Sequence, residues 1–320
     1  MKKFLIACIA AAAACVSHAQ TKWDLPSGYG ANTLQVQTLQ SFADEVDKAT
    51  AGKLKITLHP NASLFKANEI KRAVQSGQTP AGEFILSGAG NENPLFGLDS
   101  VPFLASSYAE SRKLSDVSKP YLEKLLAGQG MKLLYTVPWP GQSLYTLKPV
   151  ASIAELKGTK MRAYNPVTSK IAEYIGAQPI TIQLAELPAA LATGGVDNFL
   201  TSSASGIESK LYEQAKHFYA VNAWLPRNAL VVNQKAFDAL DRPTQDIVTR
   251  SAAEAEQRGW KLSEQKDGEY VKELAAKGMK VDASAENLKR ELQAIGARMT
   301  NEWLATAGAD GKAIVEAYRR

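Results

Sequence analysis

The sequence contains few of the side chains that carry out redox and metal chemistry. Only two of its 320 residues are cysteine and three are histidine. Cys8 and Cys15 both lie in the first twenty residues, so the rest of the chain has no disulfide, no thiolate metal site and no cysteine nucleophile. The two later histidines, His59 and His217, are not at a metal-ligand spacing. We therefore predict no metal, no cofactor, no catalytic residue and no enzymatic activity.

Phosphate-binding loops and clusters of basic residues are also missing from the sequence. Residues 88–94, "GAGNENP", are rich in glycine but have neither the spacing nor the lysine of a phosphate loop. Residues 201–206, "TSSASG", are rich in hydroxyls but lack the Gly-x-Ser-x-Gly pattern of hydrolases. A formal net charge of +5 without basic clusters argues against nucleic acid as a partner.

The one long apolar run lies at the N-terminus. Two lysines precede "FLIACIAAAAACV" (residues 4–16), and "SHA" (residues 17–19) supplies the small residues that signal peptidase recognises. The run is too short for a stable membrane span. We therefore predict that residues 1–19 are a signal peptide cleaved after Ala19, which places the protein in the periplasm. The alternative is a lipoprotein, but the first cysteine leaves almost no apolar segment and the second follows only alanines.

After residue 20, helix and strand patterns alternate. The alternating apolar residues of "KLKITLHP" (residues 53–60) are typical of a strand. The helix before it has Asn32 as its expected cap and ends at Gly52. This alternation favours parallel α/β layers, and a mature chain of about 300 residues favours two lobes. Further strands are predicted at residues 83–86, 132–137, 179–182, 196–200, 217–224 and 229–233.

Residues 241–278 differ from the rest of the chain because they predict one very long helix. The segment opens with an acidic cap, Asp241, and has Pro243 in its first turn. It then continues with apolar residues at helical spacing, far beyond the average of about a dozen residues. We expect a helix of this length to span both lobes.

The stretch "KGTKMRAYNP" (residues 157–166) places Arg162 near the end of a short predicted strand. Ligands of open α/β sheets bind outside the carboxyl ends of the strands. An arginine at that position offers two parallel donors to a carboxylate. The alternative is a solvated strand end that pairs with a carboxylate of the protein itself.

Other residues at predicted strand ends and in the segments near them can complete such a site. Hydroxyl groups at residues 201–203 and the amide of Asn233 can bond the remaining lone pairs of a ligand. Trp139 or Trp224 can cover an apolar part of it, although a tryptophan at either position can equally pack in the core.

Five motifs occur in a fixed order along the chain. They are "GKLKITLHPNASLFKANEIKRAVQSGQ", "LFGLDSVPFL", "LKGTKMRAYNP", "AELPAALATGGVDN" and "ALVVNQKAFDAL". In this order they resemble the extracytoplasmic solute receptors of TRAP transporters, the DctP-like family. The resemblance extends from about Leu54 to the end of the long helix.

The resemblance implies an α/β fold with two lobes, similar to periplasmic binding proteins, and a long helix across both. The protein is then expected to be a monomer that binds a small organic carboxylate and delivers it to a TRAP-type membrane permease. Arg162 matches the arginine that pairs with the ligand carboxylate, and Asn165 matches a recurrent asparagine. The expected lobes are residues 20–139 with 228–267, and residues 140–227 with 268–320.

Two positions differ from relatives that bind sialic acid. Gln142 stands where those relatives have a second arginine, and Thr201, followed by Ser202, stands where an asparagine is common. The resemblance therefore implies a small monocarboxylate, such as a 2-oxo or hydroxy acid or one with an aromatic or cyclic tail, rather than a large sugar acid or a dicarboxylate. Loops of the first lobe are expected to add further contacts, through Tyr29, Asn91 and Glu92.

Two other function classes remain open on the sequence. A receptor for another importer, ATP-driven or of the tripartite tricarboxylate type, would share the two lobes but not the motif order. An exported α/β enzyme acting on a small carboxylic acid would need a base close to Arg162, and the chain offers only carboxylates and two unfavourably placed histidines.

Overall fold

The computed structural model describes residues 20–320, so the predicted signal peptide and its cleavage site lie outside the described residues. No helix of residues 20–320 is long and apolar enough to cross a membrane. The strands are β1 (Thr21–Pro26), β2 (Leu54–His59), β3 (Ala81–Ile85), β4 (Met131–Pro138), β5 (Ser143–Thr146), β6 (Lys160–Ala163), β7 (Gln178–Thr181), β8 (Asn198–Thr201), β9 (His217–Tyr219), β10 (Arg227–Asn233) and β11 (Lys280–Asp282). The α-helices are α1 (Leu34–Ala49), α2 (Ile70–Gln75), α3 (Tyr108–Gly128), α4 (Pro166–Ile175), α5 (Leu187–Ala192), α6 (Ser203–Glu208), α7 (Gln234–Asp238), α8 (Arg242–Ala276), α9 (Glu286–Thr306) and α10 (Gly308–Arg319).

The strands form two lobes on either side of a cleft. The first lobe contains the parallel pair β1–β2 and an antiparallel sheet of order β3–β10–β4. The second lobe contains a six-stranded sheet of order β11–β9–β5–β8–β6–β7. Helices pack on these sheets, and each lobe has its own apolar core. The predicted two-lobed α/β fold is confirmed.

The prediction of parallel layers is wrong for two strands, β5 and β10. Strand β5 runs antiparallel to β8 and β9, and strand β10 runs antiparallel to β3 and β4. Strands β5 and β10 each begin at the cleft, directly after the chain crosses from one lobe to the other. Their neighbours β3, β4, β8 and β9 end at the cleft. A strand that begins at the cleft must run against strands that end there. The residue pattern of a strand does not encode its direction, so the crossings decide it.

The two crossing segments, residues 139–142 and 220–226, are hydrogen-bonded to each other. The main-chain N–H groups of Trp139 and Gln142 each donate to a carbonyl oxygen of the other segment at 2.8 Å. A Cβ atom at Gly141 would lie 2.6 Å from a side-chain oxygen of that segment, which is too close for any other residue. The connection between the lobes is therefore a closely packed pair of chains.

The long helix α8 has 35 residues and spans both lobes, as predicted. At about 1.5 Å per residue its length is about 52 Å. Val248 and Ala252 belong to the apolar core of the first lobe, and Leu274 belongs to that of the second. At Gly259 the helix lies so close to β4 that a Cβ atom would be 2.5 Å from the Val137 side chain. The helix therefore joins the two cores as one continuous element.

Helix α1 begins one residue later than the sequence predicts. Thr33, not Asn32, is its cap, and the Thr33 hydroxyl accepts a hydrogen bond from the N–H of Val36 at 3.3 Å. The Asn32 amide instead donates to the main-chain oxygen of Glu208 in the second lobe, at 2.9 Å. Asn32, which the sequence pattern assigns to helix capping, therefore makes a tertiary contact instead.

The last helix, α10, lies against α3. Its Ile314 and Val315 pack in an apolar cluster with Leu98 and Leu114. The lobe boundaries given above stay a prediction. A division drawn by packing alone would place this helix with α3 rather than with the six-stranded sheet.

A half-buried glutamate, Glu208, also joins the lobes. Its Oε1 accepts hydrogen bonds from the N–H of Leu34, at 3.0 Å, and from the Tyr270 hydroxyl, at 3.1 Å. Its Oε2 is buried and has no hydrogen-bond donor within residues 20–320. Burial raises the pKa of Glu208 to about 7.

A buried ion pair joins β10 to the segment before α3. The Asp99 carboxylate accepts hydrogen bonds from the Nε of Arg227, at 3.3 Å, and from its main-chain N–H, at 3.0 Å. The two side chains are 3% and 4% exposed respectively. Ser115 and Ser118 of α3 accept hydrogen bonds from the other guanidinium nitrogens, so the charge of Arg227 is fully used inside the protein.

We expect Asp99→Ala to lower the free energy of unfolding by about 3–5 kcal/mol, because the Arg227 charge would remain buried without its partner. Urea denaturation of ligand-free protein measures this loss. The control is Asp47→Ala, which removes a surface pair with Lys55 whose side chains are 31% and 49% exposed. A surface pair contributes below about 1 kcal/mol, so equal losses in the two variants would contradict the assignment.

We expect Glu208→Gln to change the pH dependence of stability. Because the folded protein holds the Glu208 proton up to about pH 7, the stability associated with this group is fully present below its unfolded pKa of about 4.5 and is lost as pH rises through 7. The amide is always neutral. The variant should therefore match the wild type at pH 4 and be more stable by about 1–3 kcal/mol at pH 8, as measured by urea denaturation at both values. A constant difference between the two proteins at both pH values would disprove the coupling.

Candidate functional site

The cleft lies between the edges of two sheets. In the first lobe β3 and β4 end at this edge and β10 begins there. In the second lobe β6, β7 and β8 end at the opposite edge and β5 begins there. Residues at these strand ends and in the loops that follow them therefore meet across the cleft, as ligands of α/β proteins require.

The cleft encloses a cavity with two adjoining parts. We call the part lined by Arg162 the Arg162 chamber; it contains about 450 Å³ of space between atoms, including the region open to solvent. We call the other part the Glu83 chamber. The Arg162 chamber is lined by Gly28, Tyr29, Ala67, Ile85, Trp139, Gln142, Arg162, Tyr164, Gln183, Leu184, Thr201, Ser205 and Pro226. Six of these residues, Gly28, Tyr29, Ala67, Ile85, Tyr164 and Gln183, also line the Glu83 chamber.

Arg162 lies on β6, one residue before its end, and is 3% exposed. Its Nε donates a hydrogen bond to the main-chain oxygen of Ile182 at 2.8 Å, and its guanidinium lies 4.7 Å from the centre of the Tyr164 ring. Within residues 20–320 its two terminal nitrogens make no hydrogen bond, and no carboxylate lies within 4.0 Å of it. Burial lowers the pKa of Arg162 to about 10, so the group stays charged at neutral pH. The chamber therefore contains a fixed cation with two free donor groups.

Neutral hydroxyls surround this cation. Burial raises the pKa of the Tyr164 and Tyr29 hydroxyls above that of free tyrosine. The Tyr164 hydroxyl donates to the Gln142 side-chain oxygen at 3.1 Å, and the Gln142 amide nitrogen donates to the Pro140 oxygen at 3.1 Å. These groups orient one another but supply no negative charge to balance Arg162.

An aromatic pair forms the wall of the first lobe. The Tyr29 and Trp139 rings lie 5.0 Å apart at an interplanar angle of 58°. The Trp139 Nε1 donates to the Asn228 side-chain oxygen at 3.0 Å, which fixes the indole in place. The wall therefore presents a rigid apolar surface opposite the cation.

The structure brings five of the predicted site residues to the cavity. Arg162, Gln142, Thr201 and Tyr29 line the Arg162 chamber. Glu92 lines the Glu83 chamber, where its carboxylate accepts a hydrogen bond from the buried Lys71. Their binding roles stay predictions.

Four predicted residues do not line the cavity. Asn165 caps α4 and donates to the Ser87 hydroxyl of the first lobe at 2.8 Å. Ser202 caps α6, and Asn91 is exposed. Trp224 packs in the core of the second lobe, beside α4 and α9. Two of the four have a capping role, which is the common use of a short polar side chain after a strand.

Sequence reasoning missed several lining residues. Tyr164 is part of the quoted motif, two positions after Arg162, and its ring could have been recognised as a cover for the guanidinium. Ser205 lies four residues after Thr201, on α6, which begins just after β8. Gln183 and Glu83 carry no local signal, because they reach the cavity only through the packing of the lobes.

The arrangement can bind an anion. A buried guanidinium with two free donors matches the geometry of a carboxylate, and the nearby hydroxyl and amide groups can bond its other lone pairs. The aromatic wall can contact an apolar or cyclic portion of the same molecule.

Comparisons with known proteins agree with this geometry. The family model of DctP, described as bacterial extracellular solute-binding protein, family 7, matches residues 27–304. Among curated proteins, the 2,3-diketo-L-gulonate-binding periplasmic protein YiaO of Escherichia coli (strain K12) is 28% identical over 223 residues, which are 68% of this chain and 67% of that protein.

Two solved structures are more similar. DctP6 of Bordetella pertussis, an extracytoplasmic solute receptor binding pyroglutamic acid, is 52% identical with a TM-score of 0.92; the match covers 93% of this chain and 99% of that one. A marine metagenome TRAP solute binding protein specific for pyroglutamate is 42% identical with a TM-score of 0.91, covering 94% and 99%. The chain therefore belongs to the DctP family of bacterial extracellular solute-binding proteins, the extracytoplasmic solute receptors of TRAP transporters.

Proposed function

We propose that this receptor captures a small cyclic monocarboxylate of the pyroglutamate class and delivers it to a TRAP-type permease. Arg162 binds the ligand carboxylate. The observation on which the proposal rests is the buried guanidinium of Arg162, whose terminal nitrogens have no partner within residues 20–320.

The family supports the general role. Its members are extracytoplasmic solute-binding receptors rather than enzymes, and TRAP receptors work with membrane permease components. We infer export of this chain through the predicted signal peptide, with cleavage after Ala19, and function as a monomer.

The cleft supports a cyclic ligand with one carboxylate. The Tyr29–Trp139 wall suits the face of a small ring. Gln142 replaces a second cation on the chamber wall, so a second carboxylate would lack a partner there. Both structures described above bind pyroglutamate, a five-membered lactam with one carboxylate.

The two lobes close over the bound ligand, and the ligand stabilises the closed state. The cation lies on the second lobe and the aromatic wall on the first, so the complete site exists only when the lobes meet. Closure excludes water, which strengthens the ion pair between Arg162 and a carboxylate. A ligand that binds the closed state better shifts the population toward it, and the closed receptor then offers its joined surface to the permease.

We expect Arg162→Ala to lose about 2–5 kcal/mol of binding free energy for pyroglutamate, or roughly 30-fold to several thousand-fold in Kd, because a buried charged pair is broken. Arg162→Lys should also weaken binding clearly, since lysine cannot form the planar double bond to a carboxylate. Isothermal titration of refolded, ligand-free protein measures both.

The matched control is Arg250→Ala, which removes an exposed arginine of α8 and should leave Kd unchanged.

A panel of succinate, proline and benzoate tests the ligand class. Full affinity in Arg162→Ala would disprove the role of Arg162. Tighter binding of another acid in the panel than of pyroglutamate would disprove the ligand class.

A further inference from the structure

A second buried ionisable group lies in the wall of the cleft, and the Arg162–carboxylate pair does not use it. Glu83 is on β3, is 2% exposed and lines the Glu83 chamber. Within residues 20–320 no Lys, Arg or His nitrogen lies within 4.0 Å of its carboxylate. Burying a carboxylate without a counterion is costly and raises the pKa of Glu83 to about 7. The group is therefore mainly ionised at pH 7.5, and its position next to the ligand chamber calls for a function.

The carboxylate of Glu83 is held in one orientation by two donors. The Ser27 hydroxyl donates to Oε2 at 2.6 Å, and the Asn228 amide nitrogen donates to Oε1 at 2.8 Å. The same Asn228 amide accepts the indole N–H of Trp139 through its oxygen, and its orientation is therefore set from both sides. Each carboxylate oxygen can accept more than one hydrogen bond, so Glu83 keeps acceptor capacity after these contacts.

The two charges belong to one continuous cavity. Gly28, Tyr29 and Tyr164 line both the Arg162 chamber and the Glu83 chamber. Burial raises the pKa of Tyr29; the Glu83 carboxylate raises it further, and Arg162 lowers it. The Tyr29 hydroxyl therefore lies within the field of both charges, with the cation on one lobe and the acceptor on the other.

We propose that Glu83 is a specificity residue that accepts a hydrogen bond from an N–H group of the ligand next to its carboxylate. This inference rests on the proposed function, because Arg162 must first fix the carboxylate. A lactam acid such as pyroglutamate has an N–H on the carbon that carries the carboxylate. It therefore offers an acceptor to Arg162 and a donor to Glu83 at once.

The same geometry rejects a close isostere. In the lactone 5-oxotetrahydrofuran-2-carboxylate, a ring oxygen replaces the N–H and the rest of the molecule is unchanged. That oxygen would face a buried carboxylate, so Glu83 would receive no hydrogen bond from the ligand and two acceptors would lie together. Sites built to bond a polar hydrogen discriminate strongly against analogues that lack it.

The test measures the Kd of pyroglutamate and of the lactone by isothermal titration at pH 7.5. For the wild type we expect the lactone to bind at least about 100-fold more weakly. Glu83→Gln, which keeps a neutral acceptor, should reduce this ratio to about tenfold. Glu83→Leu, which has no acceptor, should reduce it below about threefold, mainly through weaker binding of the lactam.

The matched control is Glu208→Gln, the same substitution at a half-buried glutamate outside the cavity; it should leave the ratio unchanged. Circular dichroism and melting curves establish that each variant is folded. Equal binding of lactam and lactone by the wild type would overturn the role of Glu83 without affecting the proposed function. Failure of the wild type to bind pyroglutamate at all would instead overturn the proposed ligand class. An unchanged ratio in a folded Glu83→Leu variant would also overturn the inference.

Discussion

The arrangement of the cleft depends on one uncompensated charge, the guanidinium of Arg162. Burial of a cation without a counterion costs several kcal/mol even after relaxation. The chain offsets part of that cost with the Ile182 carbonyl and the face of the Tyr164 ring. The two terminal nitrogens make no hydrogen bond within residues 20–320, and in the proposed function they bind the ligand carboxylate. The contrast with Arg227 is instructive, because that guanidinium is neutralised by Asp99 and by α3, and so holds the first lobe together instead of binding a ligand.

The position of this charge follows from how the chain moves between the lobes. Strands that end at the cleft place the residues of their carboxyl ends there, and β5 and β10, which begin at the cleft, place their first residues beside them. The crossing segments bond to each other, and α8 passes through both cores. These contacts set how the two sheet edges face each other across the cleft.

Each lobe contributes one half of the electrostatic pattern. The second lobe holds the cation, and the first holds the aromatic wall and the Glu83 carboxylate with its network of Ser27 and Asn228. Neither half has a charged partner within its own lobe among the described residues. A ligand with one hydrogen-bond acceptor and one donor can bond Arg162 and Glu83 at the same time only when the lobes are closed. Under the proposed function, recognition of the ligand and closure of the lobes are therefore coupled, because the ligand binds the closed state better.

The sequence by itself determined the α/β class, the long helix and the place of Arg162 at a strand end, because these follow from local periodicity, capping and the order of motifs. The family resemblance also pointed to Gln142 and Thr201, and a loop of the first lobe to Tyr29; all three line the Arg162 chamber. Only the tertiary structure decided the direction of β5 and β10 and the use of Asn32 and Asn165 as contacts between lobes. It alone brought Glu83 and Gln183 to the cavity. These features depend on which distant segments meet, and a local pattern of residues contains no information about contacts between two lobes.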